Sequence, residues 1–242
     1  MSEREDEPGL RPDPARVAEA YRALVTEWGA GELERLEERL TEKYARVRAL
    51  GEGPELPSPG VLRGTLPTVV RSRTHLDPLI AANPPEVFRD LVRAARSGRL
   101  RPGELAASAG AFRGVPDGIA RDLAAELIHG AAPDRYGLWS RWVWNPERGT
   151  GALAEFVPSP RIPFPSVQPL LGAIRLELGR EGFRSATFAP VDILLAWRYA
   201  VRLEGTSREA FHSGGLESLL PGTKGITRFL LGIPGGSVLA DR

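Results

Sequence analysis

Few residues in this sequence are of the types that carry out chemistry at an active site. The chain of 242 residues has no cysteine and only three histidines, His75, His129 and His212, which are far apart. The lack of cysteine excludes cysteine-ligated zinc, iron–sulfur clusters and a thiol nucleophile. Because the histidines show neither HxxxH nor HxH spacing, we expect no metal site, and no cofactor is implied.

Motifs of the common enzyme classes are also missing. The chain has no GxSxG nucleophile elbow, no Walker A loop and no GxGxxG after a strand. Glu126 and Asp192 fall in predicted helices near arginines, which favours buried salt bridges over catalysis. His129 ends a predicted helix, where it would meet the last carbonyl groups. We therefore expect no catalytic residue, although an enzyme with an unfamiliar site stays an alternative.

The arginines are the most numerous candidates for binding a ligand. Residues 1–59 carry a net charge of −5 and residues 60–116 one of +5, whereas the whole chain carries +1. Four arginines fall within nine residues with no acid between them, at positions Arg93, Arg96, Arg99 and Arg101. Such a patch can bind phosphate, or it can dock on the acidic N-terminal helical hairpin of the same chain.

The spacing of apolar residues predicts a mainly α-helical fold. Residues 1–13 are predicted to be a disordered tail. Asp13 is the expected N-cap of a helix that begins at Pro14, and a second helix completes an N-terminal helical hairpin over 14–50. The Gly- and Pro-rich residues 51–67 are predicted to be a linker, and 68–242 a main helical domain. Within that domain, helices are expected at 85–97, 104–112, 117–129, 167–182 and 191–204.

No targeting or membrane segment is expected. The N-terminus, MSEREDEPGLRPDP, is acidic and contains proline, unlike a signal peptide. No apolar run reaches the roughly 18 residues that a membrane span requires. The sequence therefore predicts a cytoplasmic protein without a membrane partner.

One stretch of the predicted main domain has a recognisable pattern. Residues 111–129 read AFRGVPDGIARDLAAELIH, in which the turn Gly114-Val115-Pro116 precedes a helix that starts with the small residues Gly118 and Ala120. Together with the run LIHGAAPDRYGLWSRW over 127–142, this pattern resembles the helix–hairpin–helix element of the DNA-glycosylase-like superfamily. The resemblance covers about 40 residues, 105–145. An ordinary corner between two helices is the alternative.

The resemblance implies a contact with the nucleic-acid backbone. Backbone N–H groups at such a turn point at a DNA phosphate without reading its sequence, which would make Arg113, Gly114 and Gly118 binding residues. Pro116, however, stands at the second glycine of the turn. The lyase lysine of the family would fall near Gly118, and its acid near Trp139 or Ser140, so we expect no glycosylase or lyase activity.

An aromatic segment follows this element. Three of the five tryptophans, at 139, 142 and 144, fall within six residues and lie beside several arginines. Trp and Arg are the residue types that dominate interface anchors. A partner or ligand surface is therefore predicted from Tyr136, Trp139, Arg141 and Trp144. The alternative is that all three tryptophans belong to the core.

Three functions are compatible with these patterns. The leading one is a non-catalytic helical protein that contacts the nucleic-acid backbone, without sequence preference, through the helix–hairpin–helix-like element and the arginine-rich region. The second is an accessory or assembly protein that acts through protein–protein contacts. The third is an enzyme with an unfamiliar site.

Overall fold

The computed structural model describes residues 10–69, 73–100, 104, 107–159, 161–211 and 222–233. Residues 1–9 of the predicted tail and Arg101 lie outside these ranges. The described residues form α-helices, short 3-10 turns and connecting segments, and they contain no β-strand, so the prediction of a mainly α fold is confirmed. The α-helices are α1 Pro14–Trp28, α2 Ala30–Ala49, α3 Pro59–Thr65, α4 Leu76–Ala82, α5 Pro85–Arg96, α6 Asp117–Ala131, α7 Val167–Arg180, α8 Ala189–Phe211 and α9 Thr223–Leu230.

The start of α1 follows the predicted capping chemistry. The Asp13 carboxylate accepts a hydrogen bond from the backbone N–H of Ala15 at 2.9 Å, and Pro14 occupies the first helical position. Gly29 ends the helix with φ +74°, and α2 begins at the next residue. Gly29 is thus the sharp corner between α1 and α2, because its positive φ is costly for other residues.

Helix α6 lies at the centre of the molecule. Eleven of its fifteen residues are buried, since it packs against α2 and α5 while the segment after it covers its remaining sides. A helix with apolar residues on all sides is stable only when it is surrounded in this way. The polar side chains that α6 does carry, Asp122, Glu126 and His129, are therefore forced into the interior.

The buried apolar residues form one continuous cluster that crosses the predicted linker. Residues from α1 and α2, such as Leu24 and Leu40, belong to the same cluster as Leu123 of α6 and Leu194 of α8. Within residues 51–67, α3 places Leu62 in this cluster at 1% exposure. Residues 14–50 and 68–242 therefore share one hydrophobic core. Their division into an N-terminal hairpin and a main domain stays a prediction.

Among the described residues, no helix combines the length and the apolar character that a membrane crossing requires.

Candidate functional site

Two arginines of the predicted phosphate patch are bound to the turn that follows α2. The Arg93 guanidinium donates to the carbonyl oxygen of Gly51 at 3.0 Å and also to that of Gly53. Arg96 pairs with Glu52 at 3.2 Å. These contacts keep the patch on its own chain, but their partners lie in the turn at 51–53, within the predicted linker, rather than in the N-terminal hairpin of the intramolecular alternative. Arg99 is exposed.

The side-chain amide of Asn83 binds the turn that resembles a helix–hairpin–helix element. Asn83 donates to the carbonyl oxygens of Leu79 at 2.7 Å and Arg113 at 2.8 Å, and it accepts from the Arg113 N–H at 2.9 Å. Gly114 has φ +76°, and a Cβ there would lie 2.7 Å from the Ala82 Cβ. The exposed turn at 113–114 is therefore fixed against α4.

A guanidinium group covers the start of α6, where the resemblance places a phosphate. Arg141 donates through Nε to the buried Asp122 carboxylate at 3.0 Å, and a Cβ on Gly118 would overlap its guanidinium. The structure thus brings together two predicted residues, Arg141 and Gly118, that the sequence assigned to different surfaces. Arg113 and Gly114, which precede Pro116 in the same turn, are also exposed.

The aromatic segment is mostly core, which corrects the surface expected from it. Trp139 and Trp144 are each 3% exposed, and the Trp144 indole donates to the carbonyl oxygen of Ile162 at 3.0 Å. Trp142 is buried as well, so the core alternative describes all three tryptophans. Of the predicted surface, Tyr136 is half-buried and Arg141 is partly exposed.

The interior contains an ion pair between α2 and α6. Lys43 donates to Glu126 at 3.0 Å and to the carbonyl oxygen of Leu231 at 3.0 Å, and the two side chains are 7% and 1% exposed. Glu126 thus forms the buried salt bridge expected for it, but with a lysine from another helix rather than a neighbouring arginine. The sequence signal was Lys43 itself, which interrupts the apolar stripe of α2.

A second group of buried polar side chains adjoins this pair. The Tyr44 hydroxyl donates to Asp192 Oδ2 at 2.7 Å, and His129 Nε2 lies 2.7 Å from the same oxygen. His129 Nδ1 lies 2.6 Å from the carbonyl oxygen of Tyr136, which can only accept, so Nδ1 donates there. His129 therefore holds the chain beyond α6, in place of the expected contact with the helix's last carbonyls.

We call Lys43, Tyr44, Glu126, His129 and Asp192 the buried polar layer. Burial raises the pKa of Tyr44 well above its usual value, and the Asp192 carboxylate adds to the rise. One oxygen of Glu126 and one of Asp192 have no hydrogen-bond partner. The members are at most 7% exposed. The layer is therefore closed to ligands in this state.

The described side chains include no group of three or more His, Cys, Asp or Glu residues placed to hold a metal ion.

A groove of about 850 Å³ lies along α7 and the segment that follows it. Its charged lining comes from three parts of the chain and consists of Asp134, Arg135, Arg175, Arg180 and Arg184. We call this surface the basic groove. Its volume falls in the range of ligand clefts in proteins, and its lining contains four guanidinium groups and one carboxylate.

Arg175 fixes the shape of the basic groove. Its guanidinium donates to the carbonyl oxygens of Asp134 at 3.1 Å, Ser185 at 3.1 Å and Ala186 at 2.7 Å. It also lies over the Phe188 ring, 5.0 Å from the ring centroid. One side chain thus ties α7 to the segments before and after it.

The basic groove is joined to the predicted arginine patch. Arg135 donates to the carbonyl oxygen of Arg96 at 3.1 Å, and Tyr136 donates to that of Leu100 at 3.2 Å. The segment 96–100, which carries the exposed Arg99, is therefore bound beside the Asp134–Arg135 end of the basic groove. The sequence could not reveal this neighbourhood, because the groove arginines are up to 49 positions apart and mixed with acids.

A smaller cleft of about 330 Å³ lies between α1 and α8. Both of its arginines are engaged, since Arg198 pairs with Glu155 and Arg16 donates to the Glu155 carbonyl oxygen at 3.3 Å. With a smaller volume and two arginines rather than four, this cleft is a weaker candidate than the basic groove.

Comparison of the chain with protein-family models, with curated proteins and with solved structures found no match to any of them. The geometry described above is therefore the basis for the function that we propose.

Proposed function

We propose that this protein is a non-catalytic helical protein that contacts the nucleic-acid backbone through the basic groove. The observation that carries the proposal is the convergence of four arginines from three segments on one concave surface. Arginine suits this role because its guanidinium can donate two parallel hydrogen bonds to a phosphate. The site differs from the one expected from the sequence, since Arg93 and Arg96 bind the turn at 51–53.

Three of the groove arginines are positioned to exchange their present partners for phosphate. Arg180 is 72% exposed and pairs with Glu177, while Arg135 is 51% exposed and pairs with Asp134. Arg184 is exposed and donates to the carbonyl oxygen of Gly179. Exposed ion pairs of this kind contribute about 0–1 kcal/mol, so a polyanion can compete with them.

The binding should lack sequence preference. Arg135, Arg180 and Arg184 are long and exposed, and nothing in the lining resembles an arrangement that reads base edges. Contacts with phosphate alone give affinity without sequence information and make that affinity depend steeply on salt. Arg99 and the exposed Arg113–Gly114 turn are proposed as secondary contacts.

An electrophoretic binding titration at two salt concentrations tests this function. Exchanging Arg180 and Arg184 together for glutamate should weaken binding by about tenfold or more at low salt, and by a similar factor on unrelated duplexes. The matched control is Arg35→Glu with Arg46→Glu, which makes the same charge change on exposed positions of α2. The control should bind like the unmodified protein.

Two outcomes would overturn the assignment. Absence of binding to any duplex at low salt would end the nucleic-acid function. If Arg96→Glu with Arg99→Glu weakened binding while the Arg180/Arg184 variant did not, the contact would lie at the originally predicted patch. Glycosylase or lyase chemistry is not part of the proposal, so borohydride should trap no covalent adduct with DNA.

A protein partner is the second candidate, and one observation favours it. Leu176 is 68% exposed on α7 and lines the basic groove among arginines. An apolar centre with a charged rim is typical of protein interfaces, and an acidic amphipathic segment would fit it. Leu176→Ser should abolish such an interaction while leaving duplex binding within about twofold, because serine keeps the groove's charge.

A further inference from the structure

The last described segment of the chain packs mainly against one helix. Thr223–Ile233, which we call the C-terminal strap, consists of α9 and the three residues after it. α9 packs chiefly on α8, and it begins where Thr223 binds the Glu204 carboxylate through both its N–H and its hydroxyl. Leu231 and Ile233 are buried at the end of the strap.

Charged contacts hold the strap to the corner between α1 and α2. Glu32 near the start of α2 pairs with Lys224 and, at 3.6 Å, with Arg228. Both cations also lie over the Trp28 ring, 5.2 and 5.5 Å from its centroid. The pKa of Glu32 is lowered chiefly by its hydrogen bond from Lys224. One carboxylate thus balances two cations of the strap.

The strap covers the Lys43 end of the buried polar layer. Lys43 donates to the carbonyl oxygen of Leu231, and the next residue, Gly232, has φ +71°. A Cβ on Gly232 would overlap the carbonyl oxygen of Thr68. The backbone at 231–232 therefore fits closely into the space above Lys43, and no other described element donates or accepts at Nζ except Glu126.

We propose that the C-terminal strap detaches from the core as a unit, without global unfolding, when its contacts with Glu32 are weakened, and that detachment gives solvent access to the Lys43–Glu126 pair. A local opening of this kind is expected for a segment with one main packing partner and polar attachments. The surface that it uncovers is charged and gains hydration, which offsets part of the lost apolar packing.

The direction of the response to solution conditions follows from the charges. Glu32 faces Lys224 and Arg228 from α9 and Arg35 from its own helix. Since its pKa is lowered in the folded state, the contribution to docking is present above its unfolded pKa and is lost as the pH falls through the folded one. Salt also screens these partly exposed pairs, so acid and salt both favour detachment.

The chain has only two lysines, which makes amine labelling a direct test. The intact protein is treated with an amine-reactive acetyl ester, and labelling at Lys43 is measured by mass spectrometry. Glu32→Gln should raise the Lys43 labelling rate roughly three- to tenfold, the range set by losing partly exposed ion pairs. Glu34→Gln is the matched control on the exposed side of α2 and should leave the rate unchanged.

A second pair of variants tests the strap without changing charge. Gly232→Ala should also raise Lys43 labelling, because the added Cβ conflicts with Thr68. Gly205→Ala is its control, since a Cβ at Gly205 meets nothing within 4 Å. Amide hydrogen exchange should show that 223–233 exchanges faster in both strap variants while 191–201 of α8 does not.

The proposal is overturned if Lys43 labelling in Glu32→Gln and Gly232→Ala equals that of the unmodified protein. It is equally overturned if Lys43 labelling rises only in step with amide exchange of α8, because that pattern means global unfolding. A loss of duplex binding in the groove variants has no bearing on this result, since the strap does not line the basic groove.

Discussion

The Tyr44 hydroxyl should make the protein sensitive to alkaline pH. Its pKa is raised by burial and by Asp192, so the folded state holds this proton more tightly than the unfolded chain does. The resulting stability is complete below the unfolded pKa of about 10 and is lost as the pH rises above it. Tyr44→Phe should therefore show a smaller loss of stability between pH 9 and about 11, measured by urea unfolding.

Tyr21→Phe provides the comparison for this experiment. Tyr21 is half-buried, and its pKa is raised by burial and by Glu181, but less markedly than that of Tyr44. The Tyr21 variant should keep most of the alkaline loss. At pH 7, Tyr44→Phe should cost about 1–3 kcal/mol, because it removes a hydrogen bond to a buried carboxylate. Identical alkaline profiles for Tyr44→Phe and the unmodified protein would contradict the interpretation.

Trp144 is buried, so truncating its side chain should cost as much stability as truncating any core tryptophan. Trp144→Ala removes a buried indole and its hydrogen bond to Ile162, so the free energy of unfolding should fall by about 3–5 kcal/mol. Trp144→Phe keeps much of the apolar volume and should lose less. Denaturant unfolding measures both values, and a nearly unchanged melting temperature for Trp144→Ala would return the residue to a surface role.

At the scale of elements, Asn83 links α4 to the turn before α6. Its side chain makes three hydrogen bonds, two to Arg113 and one to Leu79, and it is 3% exposed. Asn83→Ala should destabilise the protein by about 2–3 kcal/mol, because buried backbone groups lose their partners. Amide exchange at Arg113 should rise as well, since its N–H donates to the Asn83 side chain.

Asn83→Asp distinguishes the hydrogen bond that the Asn83 side chain accepts from the two that it donates. The carboxylate can still accept from the Arg113 N–H, but it cannot donate to the two carbonyl oxygens. The aspartate variant should keep slower exchange at Arg113 than the alanine variant does. Equal exchange in the two variants would show that the turn is held by packing of Gly114 against α4 rather than by Asn83.

At the scale of the whole molecule, we expect residues 14–50 and 68–242 to unfold together. Val47 of α2 packs within 3.0–3.1 Å of the Cβ position at Gly130 of α6, and Tyr44 binds Asp192 of α8. Separating the two parts would remove the α2 partners of Glu126 and Asp192 and expose apolar core residues of both parts, which is costly. Calorimetry should show one transition whose calorimetric and van't Hoff enthalpies agree.

A fragment of residues 68–242 provides the contrary test. We expect this fragment to lack cooperative unfolding, because it exposes the face of α6 that α2 covers. Two separate transitions in the full chain, or a fragment that unfolds cooperatively on its own, would instead support two independent domains joined by 51–67.

The long helices could be predicted from the sequence because each has a wide apolar face. Helices α5, α6 and α7 were expected at 85–97, 117–129 and 167–182, and the structure places them within two residues of those bounds, whereas α8, expected at 191–204, runs over Ala189–Phe211. Helices α3, α4 and α9 were not expected, since each has seven or eight residues. Two turns carry too little periodicity to stand out, and packing against longer helices stabilises them instead.

The candidate sites depend on contacts between distant residues, which the local sequence pattern does not specify. The sequence determined the helical class, the Asp13 cap, the anomaly of Lys43 within an apolar stripe and the concentration of arginine near residue 96. Tertiary structure decided which charges meet. It placed Lys43 against Glu126, 83 positions away, bound Arg93 to Gly51, and gathered Arg135, Arg175, Arg180 and Arg184 around one groove. Helix periodicity fixes which face of a helix is buried, whereas the partner of a charged side chain depends on how the helices pack, which is a long-range property of the chain.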